Sequence, residues 1–175
     1  MLQQDTITAL VTAVGESSVG IIRISGPEAT SIANKIYKGK TDFLTAESHT
    51  VHYGYVYDYK HDKKVDEAIF LLMRGPRSFT GEDVVEVQCH GGMVVLKQVL
   101  QLILLSGARL AEQGEFSKRA FLNGRLDLAQ AESIMDIVQA KTERGVDLAL
   151  SQLQGSLSGM VKQLRADLLE LVAFI

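Results

Sequence analysis

The 175-residue chain holds one cysteine, Cys89, so an internal disulfide is excluded and a reducing compartment fits. It also lacks a basic excess. The net charge is −3, whereas a general nucleic-acid footprint needs a surplus or a stripe of Lys and Arg; a local basic cluster stays open. No apolar run is long enough to span a membrane, the most apolar stretch being Met93 to Ser106. Met1 to Asp5 has neither a basic nor an apolar segment of the signal-peptide kind, and the chain reads as cytoplasmic. No Cys or His cluster suggests a metal site: His49 and His52 are close in sequence but on opposite faces of a strand. A phosphate-binding loop is missing as well. Gly39-Lys40-Thr41 resembles its end, but Asn34 stands at the first glycine position and Lys35 to Lys38 belongs to the end of a helix. These residues are not expected to hydrolyse nucleotide.

What is present is 46% apolar residues, enough for a real core in one domain, or one domain plus a piece of another. The most informative stretch runs from Phe79 to Gly92. Val85, Val87 and Cys89 fall on one side of an extended chain, and Glu86, Gln88 and His90 on the other. Gly91-Gly92 ends the strand before an apolar helix. A carboxylate held on a strand can accept paired hydrogen bonds from a ring with adjacent N–H donors, such as a pterin or a purine. The same alternation also describes a sheet with one solvated face, and the spacing leaves both readings open.

Around this stretch the pattern predicts strands over Thr6 to Ala13 and Val19 to Ser25, then a helix from Pro27 to about Tyr37. Arg23 sits among isoleucines, which is costly unless its guanidinium finds water or a partner; an edge strand would let it reach solvent. Thr50 to Asp58 and Val65 to Met73 form a hairpin candidate about a polar turn, with a tyrosine row on the first strand. Met93 to Leu105 is apolar all round and is expected to be well buried. Arg109-Leu110-Ala111 is a short strand, which suggests a locally parallel pairing across the strand–helix–strand unit from Val84. Cys89, on the apolar side, is read as packing.

The second informative stretch is Gln113 to Asp127. Glu115 to Leu122 makes two helical turns, with Phe116, Ala120 and Phe121 towards the core, and Asn123-Gly124 stops them. Lys118, Arg119 and Arg125 form a local basic group, and Asp127 caps a helix over Leu128 to Lys141. By spacing alone Arg125 is a solvated turn residue. Thr142 to Ile175 is helical almost throughout, a tract of about 50 Å with Gly155 and Gly159 as candidate interruptions. It stops at Ile175 without a cap, as a fragment cut in mid-helix would, and its long apolar stripe calls for further helices from elsewhere or from a second copy.

Several motifs in order carry a resemblance over the whole chain: Val19-Gly20-Ile21-Ile22-Arg23-Ile24-Ser25-Gly26, Ser78-Phe79-Thr80-Gly81-Glu82-Asp83, His90-Gly91-Gly92 and the run from Gly114 to Glu132. Together they resemble the N-terminal part of the MnmE (TrmE) family of tRNA-modification GTPases. The resemblance implies an N-terminal α/β domain that binds 5-formyltetrahydrofolate and forms a homodimer. It implies a helical domain with an inserted G domain, which uses GTP, K⁺ and Mg²⁺. It further implies C5 modification of the tRNA wobble uridine together with an FAD-dependent partner protein. On the family's pattern Arg23, Glu86 and Arg125 are the folate contacts. Glu86 would take the pterin donors, and Arg23 and Arg125 the carboxylates or carbonyl oxygens, in either order. Arg125 is often Lys in relatives, which alters its donor geometry. Gln88 and His90 share the face of Glu86 as further candidates. The G-domain motifs and the family's C-terminal cysteine motif are not among these residues.

The expected fold is therefore α+β: a mixed, largely antiparallel sheet with packed helices over residues 1–118, similar to aminomethyltransferase folate-binding domains, then the first helices of an all-α domain over 119–175. Two functions stand side by side. One is a folate-binding, dimerising domain of a tRNA-modification enzyme with no catalytic residue or metal site of its own. The other is a dimerisation scaffold whose polar face is only solvated. Autonomous one-carbon transfer lacks a nucleophile–base pair in the sequence.

Overall fold

The structure, a computed structural model, describes residues 5–15 and 17–174. The expectations that rest on Met1–Gln4 and on Ile175 lie outside the described residues. The chain divides into two compact units, Met1–Arg119 and Ala120–Ile175. The first is a sheet with helices and the second is all-helical.

In the first unit the elements are β1 (Ile7–Leu10), β2 (Val19–Ser25), α1 (Ala29–Ile36), β3 (Tyr37–Lys38), β4 (Thr50–Asp58), β5 (Lys63–Met73), β6 (Val84–His90), α2 (Met93–Leu105) and β7 (Arg109–Leu110). The strands form one sheet in the order β3-β4-β5-β6-β2-β1-β7. Every pairing is antiparallel except the parallel one of β1 with β7. The unit around Val84 to Ala111 does bring β7 back parallel to β6, but β2 and β1 lie between them, so the expected local pairing is replaced by β1–β7. The first strand is shorter than the sequence suggested: its regular ladder on β2 runs from Ile7 to Leu10, after which only the Val11 N–H to Ile21 O bond, at 2.8 Å, and the Ile21 N–H to Thr12 Oγ1 bond, at 3.2 Å, join the two segments.

Alternation decides which face is core. Ile22 and Ile24 of β2, Val85 and Val87 of β6, and Phe70 and Leu72 of β5 point to one side. There they pack with Ile32 and Ile36 of α1 and with Leu96, Val99 and Ile103 of α2. Full burial of each such side chain contributes roughly 1.5–3 kcal/mol. Cys89 lies in this core, its thiol donating to Gly20 O at 3.8 Å. Both long helices lie on this face. The opposite face, which carries Arg23, Glu86, Gln88 and His90, is the open one.

The helix α2 departs from its expectation. Only Leu96, Val99 and Ile103 are buried, and Val94 and Leu105 are 72% and 76% exposed. A helix resting on a sheet buries a single stripe, so its remaining apolar residues face outward in this unit.

In α3 (Glu115–Leu122) the division between the units falls after Arg119. Ala120 is buried as expected, but Phe121 is 41% exposed. The second unit continues with α4 (Leu128–Gln139), α5 (Glu143–Leu153) and α6 (Ser156–Ala173). Asp127 caps α4 in a capping box with Gln130. The long helical tract is two helices. Gly155, at φ 87°, turns the chain between them, while Gly159 stays inside α6. No residue of α6 is buried.

The end of β2 depends on a glycine. Gly26 has φ +135°, and a Cβ there would lie 2.7 Å from Thr6 Cα and 2.8 Å from Asp5 O. Both are main-chain atoms and cannot rotate away. Gly26→Ala is expected to lower stability by about 1–3 kcal/mol, read as a fall in the urea midpoint; an unchanged midpoint would contradict the close approach of these two segments.

Candidate functional site

The register of β2 on β6 sets Arg23 opposite Glu86. Arg23 Nε donates to Glu86 Oε1 at 2.9 Å, and Nη2 lies 2.8 Å from the same oxygen. The side chains are 19% and 13% exposed. The guanidinium also lies over two rings, 4.8 Å from the centroid of Phe79 and 5.4 Å from that of Phe116. The cost of an arginine among isoleucines is thus offset by a carboxylate and two aromatic faces. No edge strand is involved, since β2 lies between β6 and β1. Both contacts fall on Oε1, which leaves Oε2 able to accept from a donor brought by a ligand.

Of the three expected folate contacts, the fold brings Arg23 and Glu86 together. Arg125 lies in the second unit, exposed, in the turn between α3 and α4. Its N–H donates to Ala120 O at 2.9 Å, and Gly124 at φ 71° makes the turn. Gln88 and His90 lie further along β6 on the face of Glu86 and border a cavity of about 290 Å³ that neither Glu86 nor Arg23 lines.

The expected basic group dissolves in the structure. Arg119 is buried and sits among carboxylates: Asp5 at 2.6 Å, Glu115 at 3.1 Å and Glu82 at 3.2 Å. Arg109 of β7 pairs with Asp5 and Glu115 in turn. Glu82 accepts from Ser25 Oγ at 2.8 Å, and Ser25 Oγ lies 2.7 Å from Thr80 Oγ1. This network joins the start of β1, the Thr80-Gly81-Glu82-Asp83 loop, β7 and α3. Sequence reasoning missed it. The one legible signal was the i,i+4 spacing of Glu115 and Arg119; the other partners are distant in sequence.

Two consequences can be measured. Arg119→Ala leaves carboxylates in a largely buried site without their shared cation, a loss of about 3 kcal/mol in a denaturant titration; a change within the error of the midpoint would show the cluster to be dispensable. The Arg109 guanidinium bonded to Glu115 holds that carboxyl down at about 2 against an ordinary 4.5. A depressed carboxyl stabilises the fold fully above its unfolded value and progressively less as pH falls from about 4.5 towards 2. Glu115→Gln is therefore expected to flatten the fall in stability across that window.

Cys89 is no nucleophile here, because burial pushes its thiol up to about 12. Among the described residues no group of His, Cys, Asp and Glu could hold a metal ion, and no helix is long and apolar enough to cross a membrane.

His90 is fixed by Asp66 of β5. Asp66 Oδ1 is 2.7 Å from His90 Nδ1, and Oδ2 accepts from the His90 N–H at 2.8 Å. The hydrogen bond to Asp66 raises the imidazole above its ordinary 6.5. A raised histidine contributes its stabilisation fully below 6.5 and loses it as pH climbs through the folded value. Proton NMR is expected to show His90 titrating above 6.5, and Asp66→Asn to return it to the ordinary range; identical titration in both proteins would exclude the pair.

Comparison with known proteins adds the family. Residues 6–125 match the family described as GTP-binding protein TrmE N-terminus, and residues 128–175 match the MnmE helical domain. The chain is 53% identical over 174 residues to the tRNA modification GTPase MnmE of Bacillus subtilis (strain 168), covering 98% of this chain and 38% of that protein. It is 51% identical over 173 residues to that of Bacillus pumilus (strain SAFR-032), with 98% and 38% covered. With that of Enterococcus faecalis (strain ATCC 700802 / V583) it shares 50% over 173 residues, with 98% and 37% covered. The chain thus spans little more than a third of the length of these relatives. By motif, by domain order and by identity, the chain belongs to the MnmE (TrmE) family of tRNA-modification GTPases, of which it carries the N-terminal domain and the start of the helical domain.

Proposed function

We propose that this chain binds 5-formyltetrahydrofolate on the open face of its sheet, as the cofactor-binding and dimerising part of a longer cytoplasmic protein. That protein would act on the C5 position of the tRNA wobble uridine with an FAD-dependent partner protein. GTP hydrolysis with K⁺ and Mg²⁺ would belong to a G domain outside these residues. Residues 1–118 are taken as the folate and dimerisation domain, and 119–175 as the start of the helical one.

The observation that carries this reading is the Arg23–Glu86 pair. A reduced pterin presents an amino group beside a ring N–H, two donors in one plane, and a carboxylate fits that edge. Arg23 holds Glu86 in one orientation through Oε1, which leaves Oε2 to accept. Phe79 and Phe116 place flat apolar surface beside it. The residues therefore fit the group. When bound, the cofactor supplies a carbon at the formyl oxidation level. The chain's own residues orient and desolvate it. Arg125 enters by its match to the family pattern, as a cation for a carboxylate or carbonyl oxygen. For the homodimer, support comes from large apolar residues left outward on the same face: Val51, Tyr53 and Ile69.

A second reading has its own observation. Glu86 already has a partner in Arg23, so the pair could serve only to hold β2 on β6 in a dimerisation scaffold. Calorimetric titration of 5-formyltetrahydrofolate into the wild type and Glu86→Gln decides between them. The folate reading expects binding that weakens about tenfold or more in the variant, as for loss of a hydrogen bond to a charged group. A folded, dimeric wild type that takes up no folate would leave the scaffold.

A further inference from the structure

The polar turn between β4 and β5 lies at one end of the sheet, beside the edge strand β3. Lys38 of β3 pairs in register with Tyr55, and Tyr57 and Asp58 pair with Lys64 and Lys63. Tyr59 OH donates to Tyr37 O at 3.0 Å and ties the turn to β3. This end of the sheet gathers Lys38, Lys40, Lys60, Lys63 and Lys64, five of the ten lysines in a chain whose net charge is −3. All five are exposed. The carboxylates of the turn are occupied otherwise. Asp58 accepts from the N–H groups of Lys60 and His61 and lies 2.7 Å from His61 Nδ1, and Asp62 accepts from Tyr57 OH at 2.6 Å. Of the five lysines, only Lys64 forms an ion pair among the described residues, with Glu67 at 3.4 Å. A local basic cluster, absent around Arg119, is present here.

We propose that this end of the sheet binds the phosphate backbone of RNA. The proposal rests on the reading of the longer protein as one that acts on tRNA, and adds the surface that the RNA meets. Two of the ammonium groups are already set in place: Lys38 Nζ lies 3.6 Å from the centroid of the Tyr57 ring, and Lys64 Nζ 3.6 Å from that of Tyr55. A ring face orients a cation without neutralising it. Lysine on an edge strand also keeps a sheet from pairing with another, which accounts for Lys38. It does not account for Lys60 and Lys63, which stand at a hairpin turn, the second on β5, an inner strand. Every cation of the cluster is lysine. The planar fork of arginine is the better match for the carboxylates of an acidic protein and for a base edge, whereas lysine meets phosphate as a point charge on a flexible stem. Contact here is therefore with backbone and carries no sequence choice. The surface shares no residue with the Arg23–Glu86 pair or with Val51, Tyr53 and Ile69.

The test is made in the full-length protein that contains this chain. Lys60→Gln combined with Lys63→Gln is compared with Lys97→Gln combined with Lys141→Gln, which removes the same charge from exposed lysines elsewhere. Circular dichroism establishes that both variants are folded. Affinity for an unmodified tRNA is read by fluorescence anisotropy across a KCl series. The first pair is expected to weaken binding about tenfold or more near 0.1 M salt, and to lower the slope of log affinity against log salt by about two, roughly one for each phosphate contact. The second pair leaves both quantities unchanged. In the wild type, tRNA is expected to slow acetylation of Lys60 and Lys63, and polyglutamate of the same total charge is not. If the folded first pair keeps wild-type affinity and slope, or if both pairs weaken alike, the surface is not the RNA contact and the tRNA reading stands. Equal protection by polyglutamate gives the surface to an acidic protein and overturns the proposal. If the wild type binds no tRNA, the tRNA reading and this inference fall together.

Discussion

The register between β2 and β6 is the constraint on which the rest depends. Side chains alternate with a period of two, so a slip of one residue would turn Arg23 and Glu86 into the core and bring isoleucine and valine to the open face. What prevents the slip is the other side of the same strands, where Ile22, Ile24, Val85 and Val87 are fully buried. The ion pair itself is a weak clamp. At 19% and 13% exposure its Coulomb gain is largely offset by desolvation. The core positions the pair, and the pair contributes orientation to the site more than stability to the fold.

A second level of organisation lies around Arg119. The two aromatic faces over Arg23 come from different segments, Phe79 from the loop after β5 and Phe116 from α3. Neither segment has a strand ladder to place it. Arg119 binds Glu82 of that loop and Glu115 of α3, so one guanidinium fixes the origin of both rings. The far end of the loop is held in its own way: Arg74 donates to the carbonyls of Phe43 and Ala46, and Asp83 accepts from the Gly75 N–H at 3.0 Å. Thr80, Glu82 and Asp83 therefore each have a structural task beside the candidate site. The neighbouring charges do not spread freely, because each carboxylate of the cluster shares an arginine.

What the sequence made legible were the features with a local period. The bounds of β6 and α2, the β4–β5 hairpin and the cap at Asp127 follow from alternation, apolar runs and a side chain three residues before its partner. What was illegible depends on contacts between distant residues. The spacing of Lys118, Arg119 and Arg125 looks like a basic group until Asp5 and Glu82 arrive from elsewhere in the fold. The outer stripe of α2 looks buried because composition cannot say how many neighbours a helix has. The β1–β7 pairing could not be read because β7 has two residues, too few to carry a pattern. Of the candidate site, Glu86 was visible as a carboxylate on an open face, and Arg23 as an arginine in need of a partner. That each answers the other is a matter of register alone.

The character of the open face bears on whether it is merely solvated. A strand face made for water carries polar side chains along its length. Here the rank through Arg23 and Glu86 continues to Val51, and the rank through Gln88 continues through Ile69 to Tyr53. Val51 is 63% exposed and Tyr53 62%. Arg23, Glu86 and Gln88 thus gather on β2 and β6, beside Val19 and Ile21, and the exposed Val51, Tyr53 and Ile69 lie on β4 and β5. A small ligand needs a few directed bonds and a little apolar wall, which is the composition of the β2–β6 side. A protein surface needs apolar area with few demands on direction, which is the composition of the β4 side. Such a gradient across one sheet suits a ligand site bordered by a dimer contact, and in the proposed function Arg23 and Glu86 belong to the first and Val51, Tyr53 and Ile69 to the second.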